Sequence, residues 1–140
     1  MLDPVVLDFC KSDVADIGGF ERAEFVSAEE GRFELRAYPG PDSANNIGTV
    51  HGGFLLALAD MAGTGVADTY GFKNTTMALS ANFIRPGLVD DEYLDVVGTV
   101  VHKGRRSVVS DVLITRPDGK VILKATCTVA LFETRIGEEA

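Results

Sequence analysis

A chain of 140 residues, 46% hydrophobic and 24% charged, is long enough to close a hydrophobic core without disulfides or a structural metal, so a single domain over residues 1–140 is expected. Its net charge of -8 at pH 7 repels polyanions at long range, which excludes non-specific binding to nucleic acid or to an anionic membrane surface and requires any anionic ligand to find a local basic patch. No apolar run is long enough to span a bilayer. Cys10 and Cys127 stand alone, with no CxxC and no Cys/His spacing of a metal site, so neither a disulfide framework nor a bound metal is expected.

The first ten residues, MLDPVVLDFC, carry acids where a secretory signal would carry bases, and they read as a short packing helix in a cytoplasmic protein. Residues 20–26 and 32–38 flank a polar connection ending in Gly31, and the second run alternates Phe33, Leu35 and Ala37 with charged residues, the signature of a β-hairpin. A loop over residues 39–49, rich in Pro, Gly, Asp and Asn, leads into an apolar helix over residues 51–70.

Four strands are expected after Gly71, over residues 75–85, 92–102, 106–116 and 121–132, with Pro117-Asp118-Gly119 turning the last pair into a hairpin. The resulting order is a short helix, two strands, a long helix and four strands, an α+β pattern with an antiparallel sheet.

Apolar residues of the long helix, Phe54, Leu55, Leu56, Leu58, Met61 and Val66, point nearly all round its axis, so the sheet should wrap it. Gly63 and Gly65 each cost about 1 kcal/mol of helix propensity relative to Ala, which close backbone approach would explain. With Asp68 near its end, this helix carries one carboxylate in its middle, Asp60. Burial strips its hydration and raises its pKa unless a donor or a cation compensates; a water-facing stripe or a hydrogen bond from a neighbouring element is the plain structural alternative to a catalytic role.

At the helix start, His51-Gly52-Gly53 offers backbone N–H groups with no intrahelical partner, at the positive end of the macrodipole, and glycines that let a ligand atom come close. That is an oxyanion hole or, more plainly, an entry turn with a capping histidine. Gly52 and Asp60 lie eight residues apart on one helix, about 12 Å along its axis, so the two cannot serve one reacting carbonyl from the same chain. If they cooperate, two antiparallel copies of the helix must meet, and a two-fold dimer gives two such sites. Gly63-Thr64-Gly65 falls inside a helix and is not a dinucleotide motif, and with only His51 and His102 there is little material for a Ser-His-Asp triad.

The pattern N-x-x-G-x-x-H-G-G from Asn45 to Gly53, the Leu-Ala-Asp that ends on Asp60, and the later Asn82-Phe83-Ile84-Arg85-Pro86-Gly87 resemble the hotdog-fold acyl-CoA thioesterases of the phenylacetate-degradation type over nearly the whole chain. The resemblance implies a long central helix wrapped by an antiparallel sheet of about six strands, active sites across a dimer that pairs again into a tetramer, and no cofactor. Carried onto this chain, Gly52 N–H polarises the thioester carbonyl, Asn45 and His51 support that end, Asp60 from the partner chain attacks or activates water, and Thr76 matches a strand hydroxyl, with Thr75 as the competing register.

The family's ligand carries a 3′-phosphate and a pyrophosphate, which gives the Lys103-Gly104-Arg105-Arg106 turn a role beyond a solvated surface and points to Arg105 or Arg106 against the nucleotide. Gly53, Phe54, Leu55 and Leu58 are expected along the substrate pocket. Hydration or dehydration of an unsaturated thioester, and acyl-CoA binding without catalysis, are the competing functions on the same fold.

Overall fold

The computed structural model describes residues 1–138. Helix α1 (Pro4–Ser12) is capped by the Asp3 side chain, which accepts from Val5 N–H at 2.8 Å. A 3-10 turn (Phe20–Arg22) precedes strands β1 (Glu24–Glu29) and β2 (Arg32–Ala37). Helix α2 (Gly52–Asp68) then leads to β3 (Phe72–Phe83), β4 (Leu94–Lys103), β5 (Ser107–Thr115) and β6 (Val121–Arg135). All six strands form one antiparallel sheet in the order β1-β2-β4-β5-β6-β3. The expected α+β order is present, and α2 packs against five of the strands, β2 to β6.

Burial explains the small residues of α2. A Cβ on Gly63 would collide with the Cys127 side chain on β6, and one on Gly65 with the Phe33 ring on β2, so helix and sheet approach closely only because both positions lack side chains. The core is formed by Phe54, Leu58 and Ala62 of α2 against Leu94, Val96, Val112, Ile114 and Leu123 of the sheet, and beside it by Val66 and Ala67 of α2 with Val108, Cys127 and Val129. Across the helix, Leu56, Ala57, Asp60, Met61 and Thr64 form a stripe that the sheet leaves partly open.

Several boundaries differ from expectation. Residues 20–22 form a turn rather than the start of a strand, because Phe20 swings inward to stack on Phe54 at 4.8 Å between ring centroids. β1 instead continues through the expected connection to Glu29, leaving a tight turn at Gly31, whose φ of +86 suits glycine. β3 begins earlier and β6 ends later than their propensities suggest, because the two pair from Phe72↔Arg135 to Phe83↔Leu123. Helix α1 forms, but it is not a packing helix within the chain: none of its residues is buried.

Candidate functional site

The loop ahead of α2 is held by a relay of polar contacts. Arg22 grips Asp42 with Nη2 at 2.6 Å from Oδ1 and Nη1 at 2.9 Å from Oδ2, which holds the Asp42 carboxyl below its ordinary range. Ser43 donates its hydroxyl to Gly18 O at 2.7 Å and accepts His51 N–H on its carbonyl at 2.7 Å. Asn45 closes the next turn: its Oδ1 accepts from Ile47 N–H at 3.1 Å and Thr49 N–H at 3.0 Å, while Nδ2 donates to Thr49 Oγ1 at 2.7 Å. Asn45 therefore shapes the approach to the helix rather than touching Gly52.

His51 is the N-cap. Its Nδ1 accepts from Gly53 N–H at 2.8 Å, so the proton of a neutral ring sits on Nε2. Gly53 N–H is thereby occupied, whereas Gly52 N–H has no acceptor among the described residues. Gly52 borders an open groove of about 320 Å³ with Leu55, Phe83, Ile84, Arg85 and Pro86. One unpaired donor at a helix N-terminus thus faces a mainly apolar cleft.

Asp60 lies on the open stripe of α2, half-buried, and its Oδ1 accepts the Thr76 hydroxyl at 2.6 Å. The pairing resolves the register: Thr76 faces the helix, and Thr75 is exposed. With Oδ1 engaged, Oδ2 accepts no hydrogen bond among the described residues. Beneath the neighbouring turn, burial and then the nearby Asp60 charge push the Cys127 thiol up to about 11, which keeps it a neutral, inert filler under Gly63.

The chain brings Asp60 and Thr76 together and places Asn45, His51 and Gly52 at the other end of the same helix. Phe54 and Leu58, expected at the pocket wall, are instead fully buried in the core, because sheet and helix close over them; Leu55 alone of the three reaches the groove. Lys103 turns away to lie 5.5 Å from the centre of the Tyr70 ring and donates to Gly104 O at 2.7 Å. Arg105 and Arg106 border a second groove of about 290 Å³ with Phe72, Leu131, Phe132 and Glu133.

Sequence reasoning missed the groove walls of residues 83–86, although Pro86-Gly87 after a strand signalled a sharp exit, and it missed Phe72, Phe132 and Glu133, which only strand pairing assembles. Among the described residues no cluster of His, Cys, Asp or Glu has the arrangement of a metal site, and no helix is long and apolar enough to cross a membrane.

Residues 47–123 match the thioesterase superfamily. The acyl-coenzyme A thioesterase PaaI of Escherichia coli K12 is 29% identical over 109 residues, 78% of this chain and 72% of its own. A hypothetical thioesterase protein of Streptococcus pneumoniae TIGR4, solved with coenzyme A, is 32% identical with a TM-score of 0.82, covering 86% of this chain and 97% of its own. A Streptococcus mutans UA159 protein bound to acetyl-CoA is 31% identical with a TM-score of 0.79, covering 87% of this chain and 98% of its own. The pneumococcal protein has also been solved as a threonine-to-alanine and as an aspartate-to-alanine variant (TM-scores 0.79 and 0.77), at positions with the same separation, 16 residues, as Asp60 and Thr76.

Proposed function

This chain belongs to the thioesterase superfamily and has the hotdog fold, and from that premise we propose that residues 1–140 act as one acyl-CoA thioesterase domain whose site is completed by a second copy of the chain. The observation that carries this reading is the separation on α2 of its two reactive features. The Asp60–Thr76 pair and the unpaired Gly52 N–H lie eight residues, about 12 Å, apart. Neither feature can act alone on a thioester, and a two-fold axis brings Asp60 of one protomer to the partner subunit's Gly52.

Two surfaces support such a pairing. β3 is an edge strand of twelve residues whose outer side is unpaired, with Met77 and Phe83 exposed on it, and a long open edge is a surface that proteins cover. Alongside it runs the open stripe of α2, where Leu56, Ala57 and Met61 surround Asp60 with apolar surface. A dimer through these elements is the minimal active unit, and a tetramer is a pair of such dimers.

In that site Gly52 N–H donates to the thioester oxygen and stabilises the charge that develops there, with His51 and Asn45 fixing the helix entry. Thr76 orients the Asp60 carboxylate through Oδ1. Oδ2 then either attacks the carbonyl carbon or takes a proton from the water that does; in both courses the C–S bond breaks, the sulfur leaves as the thiol of CoA, and one water supplies the oxygen of the free acid.

Release of free thiol from a series of acyl- and aryl-acyl-CoAs tests the reading directly. A hydrolase liberates CoA, a hydratase changes enoyl absorbance without doing so, and a binding module does neither. Asp60→Asn keeps the shape of the side chain and should lower turnover at least about 100-fold; near-normal turnover of the folded variant would overturn the assignment of Asp60.

A further inference from the structure

Helix α1 carries an apolar surface that nothing among the described residues covers. Every residue from Met1 to Asp16 is exposed, and within α1 Val5, Val6, Leu7 and Phe9 are 77%, 48%, 41% and 51% exposed. A helix of nine residues with two β-branched valines is too short to persist in water on its own hydrogen bonds, since isolated helices below about 12 to 15 residues are marginal there. Its stability must come from packing of its apolar residues against something outside the chain.

The position of α1 identifies what covers it. The segment that follows is fixed to the start of α2: a Cβ on Gly53 would meet Ile17 Cδ1 at 3.3 Å, Gly18 N–H donates to Asp42 O at 2.7 Å, and Ser43 donates its hydroxyl to Gly18 O. Asn46 Nδ2 donates to Phe9 O at 3.3 Å, which ties the helix itself to the tip of the loop that enters α2. α1 therefore stands beside the N-terminal end of α2, the end that carries Gly52.

In the two-fold pairing that brings Asp60 of the partner subunit to Gly52, the two copies of α2 run antiparallel. The partner's helix then continues past Asp60 to Asp68, about 12 Å beyond the start of this chain's α2 and into the space beside α1. What a copy of α2 presents there is its open stripe. Met61 is 40% exposed, and Thr64 donates its hydroxyl to its own helix at Asp60 O, 2.9 Å away. Ile47, 70% exposed at the loop tip, adds to the apolar surface on the side of α1.

We propose that α1 is an arm that reaches over the partner subunit and walls the acyl pocket. The stripe that follows Asp60 of the partner subunit is the floor, and Val6 and Phe9 of α1, one helical turn apart, form the roof with Ile47. The proposal rests on the acyl-CoA reading and adds to it the residues that set its acyl specificity. No charged residue lies between Asp60 and Asp68 on the floor. The substrates are therefore thioesters of apolar acyl chains, held more tightly the further the chain extends under α1.

Two measurements on the full chain, neither of which needs turnover, test the arm. In Met61→Cys, bis-maleimidohexane should join the new thiol to the exposed Cys10 of the other chain's α1, giving a covalent dimer that neither the wild type nor Met61→Cys with Cys10→Ser forms. Absence of that dimer overturns the arm. The thioethers S-decyl-CoA and S-methyl-CoA, which no thioesterase cleaves, then read the pocket by calorimetric titration. Val6→Ser with Phe9→Ser should weaken S-decyl-CoA at least about 10-fold more than S-methyl-CoA, the lower end of what one methylene gains in a hydrophobic pocket. Val6→Leu with Phe9→Leu, which keeps the surface apolar, should retain the wild-type preference for S-decyl-CoA. Equal weakening of both thioethers, or a wild type that binds neither, overturns the acyl wall and leaves the thioesterase reading to the thiol-release assay. The expected link and selectivity in a protein that hydrolyses no acyl-CoA support the arm and remove the hydrolase reading instead.

Discussion

Mixing two inactive variants restores activity if each site is built from two chains, and this structure allows the variants to be chosen so that both fold. Gly52→Pro deletes the backbone N–H proposed to hold the oxyanion. Its cost to the fold is small on three counts. Gly52 is the first residue of α2, where proline is at home, and its N–H donates to nothing among the described residues. His51, the residue before it, has φ -61 and ψ 133, the extended conformation that a following proline demands. A Cβ there meets the Phe83 ring at 3.5 Å, an ordinary contact. The variant should therefore melt within a few degrees of wild type.

Asp60→Asn, the second variant, keeps the side-chain shape beside Thr76. In a mixed dimer one site inherits both lesions and the other neither. With free exchange at equal concentrations about half the dimers are mixed, each with one intact site of two, so roughly a quarter of wild-type thiol release returns. The assay is thiol release before and after subunit exchange, with mixed dimers counted by native mass spectrometry. Confirmed mixed dimers without recovered activity would refute a site shared between chains.

Thr76→Val removes the hydroxyl donated to Asp60 and should lower kcat about 10- to 100-fold, the value of one hydrogen bond to a charged group, while Thr76→Ser restores it to within a few-fold; equal losses in both variants would separate Thr76 from Asp60 chemistry. Gly65→Ala gains helix propensity but drives a methyl into the Phe33 ring, and a net destabilisation of about 1 to 3 kcal/mol is expected in urea unfolding. With its thiol raised to about 11, Cys127 stays protonated at pH 8, so an alkylating reagent should label exposed Cys10 in the native protein and Cys127 only after denaturation. The same raised value has a sign for stability: the unfolded thiol ionises first, so Cys127 favours the fold below pH 9 and that contribution is lost as pH rises towards 11.

The elements of this protein were legible because each rests on a local pattern: the alternation in residues 32–38, the β-branched runs of the last four strands, and an apolar run entered through His51-Gly52-Gly53. Asp60 was legible for the opposite reason, as a violation of pattern, since a carboxylate in the middle of an apolar helix needs a partner. The incompatibility of Gly52 and Asp60 within one chain also followed from sequence, because helical rise is fixed.

Tertiary structure alone decided what lies opposite each residue. Strand order is non-local: β3 pairs with β6 rather than with β4, and that pairing selects Thr76 over Thr75 for Asp60 and assembles Phe72, Phe132 and the arginine turn into one groove. Burial is likewise a property of the packed whole. Phe54 and Phe132 are equally apolar in sequence, yet one is sealed in the core and the other faces solvent, because the sheet curls over the first and ends beside the second.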